Sequence, residues 1–318
     1  MGDHKNQRFP QLSLISTERI WDRGQHNAFT DLCQFRDQFW LVFREATNHV
    51  SDDGVIIILA GDGKHWRLIT SLSQPGIDLR DPKITVTPDQ QLLITCAGVM
   101  CELDGRPHQS FLYYSNDGQH WAPPKAVGQL GDWIWRTRFF GDDGYGVAYL
   151  PHCESTTLYK LSGKQYRPLV EPFFSKASHG LGYPNEHDLF TVDDTNMGCL
   201  LRRDADTASA QLGIAAPPFT EWQWWDLGIR VGGPVAVPLR LTSGGSAILC
   251  AVRLYDPART VLCWLDTEGK ALCEALTLPS AGDNSYAGIL QTGDKIYCSY
   301  YSSHEGKASI YLAEVMMH

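Results

Sequence analysis

Groups able to do acid–base, nucleophilic and anion-binding chemistry recur in this 318-residue sequence just before and just after short apolar runs. Before such runs stand His26, Asn27, Asp31, Asp78, Arg80, Asp81, Arg136, Arg138, Glu186, His187, Asp283 and Tyr286. After them stand Arg44, Glu45, His49, His152, Arg202, Arg203, Arg253, Tyr300, Tyr301, His304 and Glu305. Carboxylates and histidines supply general acids and bases, a tyrosine can serve as nucleophile, and arginines grip anions through planar donor forks. Charges are costly to gather in one place unless they pair or serve a ligand. For any one of these residues a structural ion pair is as good a reading as function; for the set, function is the better one.

The elements that must position these groups repeat. Six segments share one shape, an extended run, a tight polar turn and a second apolar run: AFTDLCQF-RDQ-FWLVFRE, DPKITV-TPDQ-QLLITCAG, TRFF-GDDG-YGVAYLPH, HDLFTV-DDTN-MGCLLRRD, PVAVPLR-LTSGG-SAILCAVR and SYAGIL-QTGD-KIYCSYYSS. They start near residues 28, 81, 137, 187, 234 and 285. β-Branched and aromatic strands around Gly/Asp/Asn turns read as β-hairpins. A period of about fifty residues with four strands per unit predicts an all-β, six-bladed β-propeller over residues 1–318. The last unit offers only three strands, and QLSLISTERIW (11–21) is a strand without a hairpin partner. It is expected to close the last blade. Helical periodicity with caps is nearly absent, which argues against a barrel or doubly wound α/β fold.

In such a blade the innermost strand leaves one rim of the channel and the second strand returns to it. The starts of first strands and the ends of second strands therefore converge on one face, while the plain turns RDQ, PDQQ, GDDG, DDTN, TSGG and TGD lie on the other. This rule places the polar set around the channel mouth.

Composition narrows the partners. Hydrophobic residues make up 43% of the chain, charged residues 20%, and the formal net charge is −9, as in a folded globular protein with a sizeable core. Lys and Arg are scattered, so no nucleic-acid footprint is expected. No run approaches the roughly 18 apolar residues that cross a bilayer, and the start, MGDHKNQRFP, has no apolar signal core. A cytoplasmic location is expected for the chain as given; a secreted or periplasmic one would need a preceding leader. The nine cysteines lie mostly in strand-like runs without metal-type or disulfide spacing, and read as buried free thiols. No histidine pair has a known zinc spacing, and no nucleotide, flavin or phosphate motif occurs. Neither cofactor nor catalytic metal is expected, and the oligomeric state is open.

Two segments following hairpins, Ala60–Trp66 (AGDGKHW) and Ser115–Trp121 (SNDGQHW), resemble the Asp-box of sialidases, Ser-x-Asp-x-Gly-x-x-Trp. In that box Asp and Gly close a turn and the aromatic plugs the gap beside it, so Asp62, Asp117, His65 and His120 are read as fold residues. With the six hairpins and the ending SYAGIL…YCSYYSSHEG…IYLAEV, the chain resembles the sialidase superfamily over nearly its full length. The resemblance implies a Tyr nucleophile activated by a Glu, an acid/base carboxylate and three arginines on a sugar carboxylate. Tyr286 matches the nucleophile's position, Glu186 its partner, and Arg202 or Arg203 with Arg253 two of the arginines. Such a pairing is chemically coherent: a phenol of pKa about 10 needs a proton acceptor and nearby guanidinium groups. Two departures point to a divergent sialidase-like glycoside hydrolase rather than an authentic sialidase. His26 or Asn27 stands where the first arginine is expected, and Tyr300–Tyr301 replaces the Glu that orients it. LRDP (79–82) is also similar to the Arg-Asp-Pro motif of five-bladed fructosidases, through which Asp31, Asp81 and Glu186 could imitate a carboxylate trio.

The candidate catalytic set is thus Tyr286, Glu186, Asp81, Glu45, His49 and Asp31. In FREATNH (43–49), Glu45 or His49 competes with Asp52 and Asp53 for the proton-donor role, or Arg44 and Glu45 simply brace the loop. The candidate binding set is His26, Arg44, Arg80, Arg136, Arg138, Arg202, Arg203, Arg253, Tyr300, Tyr301 and His304. Three activities fit: hydrolysis of a terminal sugar, with acidic sugars included; β-elimination from a uronate by Tyr and His; or carbohydrate binding without turnover. The tryptophans of EWQWWDL (221–227) are offered as sugar platforms but coincide with the blade-plug position, where core packing is the better reading.

Overall fold

The computed structural model describes residues 9–150 and 154–318; His152 and Cys153 lie outside the described residues. Six antiparallel sheets form the blades, five of four strands and the third of five because its innermost strand is split in two, the last completed from the N-terminus. The innermost strands are His26–Phe35, Ile77–Val86, the pair Trp133–Ile134 and Arg138–Phe140, then Pro184–Thr191, Gly232–Arg240 and Asn284–Thr292. A single helical turn, Lys176–His179, interrupts this all-β pattern.

Why these segments make stacked blades follows from their burial. The second and third strands of the first blade, Gln38–Ala46 and Val55–Gly61, are buried on both faces, whereas its outermost strand, Trp66–Leu72, is largely exposed. Sheets covered on both faces need near-continuous apolar runs, and FWLVF and VIIILA supply them. The core consequently lies between blades: Val42, Ile56 and Ile58 of the first pack with Leu79, Ile84 and Ile94 of the second. Leu200 and Leu212 of the fourth pack with Cys250 and Val261 of the fifth.

Closure follows the sequence expectation. Leu12–Trp21 pairs antiparallel with Ser309–Met317, from Leu12 opposite Met317 to Trp21 opposite Ile310. The last blade is therefore stitched from both ends of the chain, and no sheet is left open where the ring meets. The turns at 60–66 and 115–121 are closed by their aspartates. Asp62 accepts the amides of Lys64 and His65 at 2.9 and 2.7 Å, and Asp117 those of Gln119 and His120 at 2.8 Å each. Trp121 donates its indole N–H to the Gly118 carbonyl at 2.9 Å. Trp222 and Trp224 pack against Phe173, with ring centroids 4.8 and 5.2 Å away. Among the described residues the eight cysteines are free thiols, five of them buried and Cys273 exposed.

The third blade departs from the expected register. Its innermost strand begins at Trp133, opposite Tyr149, and is broken between Ile134 and Arg138. Arg138 pairs opposite Tyr145, far along the strand toward the turn. The aromatic start of this strand carries no turn signal, so the sequence reading began it too late and put Arg136 and Arg138 at the mouth.

A polar cavity at the channel mouth

Five of the six innermost strands slip register near their start, between Ala28 and Asp31, Arg80 and Lys83, Pro184 and His187, Gly232 and Val235, and Ser285 and Gly288. An extra residue in one strand re-aims a side chain. Here the re-aimed residues are Phe29, Asp81 and Tyr286, each with a left-handed backbone, φ 63°, 50° and 50°. That conformation costs about 1–2 kcal/mol per non-glycine residue. All three side chains line one cavity of about 250 Å3, with His49, Arg80, Trp133, Tyr149, Tyr183, Asn185, Glu186 and Arg202. In the fifth blade Gly233 takes the equivalent bend at φ 53°, and a Cβ there would meet the Tyr286 ring at 2.7 Å. Only glycine lets that ring lie against the backbone.

Tyr286 and Glu186, a hundred residues apart, meet in this cavity: the phenol donates to Glu186 Oε1 at 2.7 Å. Arg202 Nη1 donates to Glu186 Oε2 at 2.6 Å and to the Tyr286 oxygen at 3.0 Å, and the Gly233 amide donates to Glu186 Oε2 at 2.9 Å. Burial works to raise the Glu186 carboxyl, but the Arg202 guanidinium and the hydrogen bonds from Arg202, Tyr286 and Gly233 hold it below the usual range. Burial, then the Glu186 charge, push the Tyr286 phenol well above its ordinary value, opposed by Arg202 and Arg253. The proton therefore rests on tyrosine, with an ionised acceptor in place.

Asp81 has the opposite character. It is buried, its Oδ1 has no hydrogen-bond partner, and burial lifts its pKa to about 6, with Lys83 opposing and Glu186 reinforcing the rise. One cavity thus holds a carboxylate kept ionised and another inclined to keep its proton, the division of labour expected of paired acid–base groups.

Behind Phe29 and His49 lies a second cluster. Asp283 accepts from Arg253 Nη2 at 2.9 Å and the Tyr301 hydroxyl at 2.6 Å on Oδ1, and contacts His49 Nδ1 at 2.8 Å and His26 Nε2 at 3.2 Å through Oδ2. Despite partial burial, these hydrogen bonds, from His26, His49 and Tyr301, hold the Asp283 carboxyl far below the ordinary range. His26, His49 and Asp283 also bring three ligand-type atoms within 4.8 Å of one another. The Arg253 guanidinium on the other carboxylate oxygen opposes a cation there.

The remaining residues singled out from sequence do not line the cavity. Asp31 lies deeper in the channel, its Oδ2 taken by the Ile84 amide at 2.9 Å and Arg136 at 2.5 Å. Arg138 forks onto Asp188 at 2.9 and 2.6 Å. Arg44, fully buried, holds Asp78 and the carbonyls of Asn48 and His49. Glu45 accepts from the Trp21 indole at 2.7 Å and the Gly24 amide at 3.0 Å, fastening the closing strand to the first blade. Asp53 caps Thr47, and Asp52 pairs with Arg106. Arg203 ties its own 205–209 loop, Tyr300 donates to the Pro279 carbonyl at 2.9 Å, and His304 packs on Tyr311. The sequence reading put these at the mouth because strand ends converge there; their side chains are consumed by loop and blade bracing. Phe29, Trp133, Tyr149, Tyr183 and Asn185 were missed as lining. Phe29 and Trp133 had no polar signal, and Asn185 adjoins the chosen Glu186.

No family model matches the sequence, and no curated protein matches it. Solved structures share its fold. A protein of unknown function from Dyadobacter fermentans superposes with a TM-score of 0.81 at 16% identity, over 97% of this chain and all of that one. The GH93 α-L-arabinofuranosidase of Fusarium graminearum, in complex with arabinobiose, gives 0.74 at 12% identity over 95% and 98% of the two chains. Trypanosoma rangeli sialidase in complex with sialic acid gives 0.73 at 11% identity over 96% of this chain, which spans 58% of the sialidase. Among the described residues no helix is long and apolar enough to cross a membrane.

Proposed function

We propose that this chain is a glycoside hydrolase that removes a terminal sugar at the channel mouth, with Tyr286 as nucleophile, Glu186 as its base and Asp81 as acid/base. The observation that carries the reading is the Tyr286–Glu186 hydrogen bond of 2.7 Å, bridged by Arg202, in the same cavity as Asp81. Structural neighbours bearing the names arabinofuranosidase and sialidase, in complexes with arabinobiose and sialic acid, favour a carbohydrate ligand.

In the first step the Tyr286 oxygen bonds to the anomeric carbon as its proton passes to Glu186. The bond to the leaving oxygen breaks as Asp81 protonates that oxygen. Arg202, 3.0 Å from the phenol oxygen, stabilises the phenolate character that develops. In the second step water attacks the anomeric carbon, its proton returns to Asp81, and the departing phenolate recovers its proton from Glu186. Tyrosine is a recognised alternative to a carboxylate nucleophile. Two displacements restore the anomeric configuration of the substrate.

Purified protein screened against chromogenic and oligosaccharide glycosides is expected to release sugar with retention, and Glu186→Gln and Tyr286→Phe are expected to slow release by at least about 100-fold. A Glu186→Gln variant with full activity would remove that residue from the mechanism. An unsaturated, ultraviolet-absorbing product would identify elimination instead.

A further inference from the structure

The guanidinium groups that line the cavity, Arg80 and Arg202, and Arg253 in the cluster beside it are each paired with an acid. Arg80 Nε is 2.5 Å from Asp78, Arg202 is 2.6 Å from Glu186 and 3.0 Å from Asp204, and Arg253 is 2.9 Å from Asp283. The Arg253–Asp283 pair is unlike the others. Around Asp283 converge one guanidinium, two imidazoles and a phenol, from the first, fifth and sixth blades, all on a single carboxylate. Its side chain keeps 30% of its surface exposed, so the group is not sealed into the core. A cradle of donors of this type, at the edge of a sugar-sized cavity, is what a protein uses to hold a ligand carboxylate.

We propose that Asp283 is a built-in occupant of an anion subsite, which makes the enzyme selective for neutral sugars. The inference rests on the glycosidase reading of the same cavity. With Asp283 in place, Arg253 Nη2, His26 Nε2, His49 Nδ1 and the Tyr301 hydroxyl are engaged on its carboxylate. A uronate or sialoside carboxylate arriving there would meet a fixed negative charge, and juxtaposed like charges suppress binding of the wrong partner. Hydroxyl groups carry no charge and so meet no such repulsion. Asp283 is thus a specificity-determining residue that acts by excluding one ligand class.

The wild-type protein is expected to cleave neutral glycosides with kcat/KM at least about 100-fold above that for matched uronides and sialosides, the scale of a like-charge clash. Removal of the occupant in Asp283→Ala should leave a vacated donor cradle. Acetate and formate are then expected to raise the Tm of Asp283→Ala. Neither ion should affect wild type or Asp283→Asn, whose amide still fills the space. Wild-type cleavage of sialosides or uronides as efficient as that of neutral sugars would overturn the proposal while leaving the glycosidase reading intact. If no glycoside is turned over, that reading fails and anion binding alone decides. A Tm raised by acetate in Asp283→Ala, but not in wild type, supports the occupied subsite, and no response overturns it. If Asp283→Ala does not fold, the wild-type comparison of neutral and anionic substrates decides.

Discussion

Two layers of the channel carry buried charges on the same innermost strands. In the deeper layer Asp31 and Asp188 are held by buried partners. Asp31 takes a backbone amide of the second blade and Arg136 of the third, while Asp188 takes the Arg138 fork and the Ala236 amide of the fifth blade. Burial opposes ionisation of Asp188, but Arg138 and Arg136 keep its carboxyl below the ordinary range. At the mouth, Asp81 is also buried yet has an oxygen with no partner and a pKa lifted to about 6. The carboxylates held by blade partners tie blades together; the one with an unpartnered oxygen keeps its proton up to about pH 6.

The sharpest way to break this contrast is to remove one charge from each layer. Glu186→Gln leaves Arg202 paired with Asp204 and is expected to lower kcat by about 10²–10⁴-fold, the usual contribution of a positioned base, with little change in Tm. Steady-state kinetics and thermal melts of one preparation check both halves. Asp188→Asn should do the reverse. Losing one partner of a buried ion pair costs about 3–5 kcal/mol, so denaturant titration should show a large loss of stability and the surviving folded fraction should keep its activity. Loss of turnover at unchanged folded fraction would show that the deeper layer also does chemistry.

The two layers were unequally legible in the sequence. Six hairpins with a regular period announced the propeller, and an unpaired N-terminal strand announced its closure, because apolar alternation and turn residues are local signals. The site was harder. Tyr286 and Glu186 stood out because both open innermost strands, but depth along a strand is set by bulges, and these occur at Phe29, Asp81 and Tyr286 without a glycine to mark them. Asp31 and Arg138 were therefore placed at the mouth although their side chains lie below it. The cradle of Asp283 depends on four side chains from three blades, a convergence that no single segment records.

The pH response sharpens the comparison at a smaller scale. Asp81 must be protonated to act as an acid, so kcat/KM is expected to fall about tenfold per pH unit above roughly pH 6. Stability should move the same way. The folded pKa lies above the reference 3.8, so the folded protein holds a proton that the unfolded chain releases between about pH 4 and 6. Asp81 thus costs stability as pH rises through that window, by about 3 kcal/mol at 1.4 kcal/mol per unit. Asp81→Asn should flatten this slope in denaturant titrations at several pH values while abolishing the alkaline limb of any residual activity.

The smallest effect is expected at the rim turn of the second blade, far from both layers. Asp117 there receives two backbone amides and the His120 ring, and Ser115 donates to the His120 carbonyl at 2.6 Å. The turn is exposed, so water replaces the lost acceptor in Asp117→Ala, and the Ser115 and Trp121 contacts still hold the loop. A slight fall in Tm with kcat and KM unchanged is therefore the expected outcome. If kcat fell instead, the outer turns would be coupled to the mouth through the blade, and His65 and His120 would need to be reconsidered alongside the residues of the cavity.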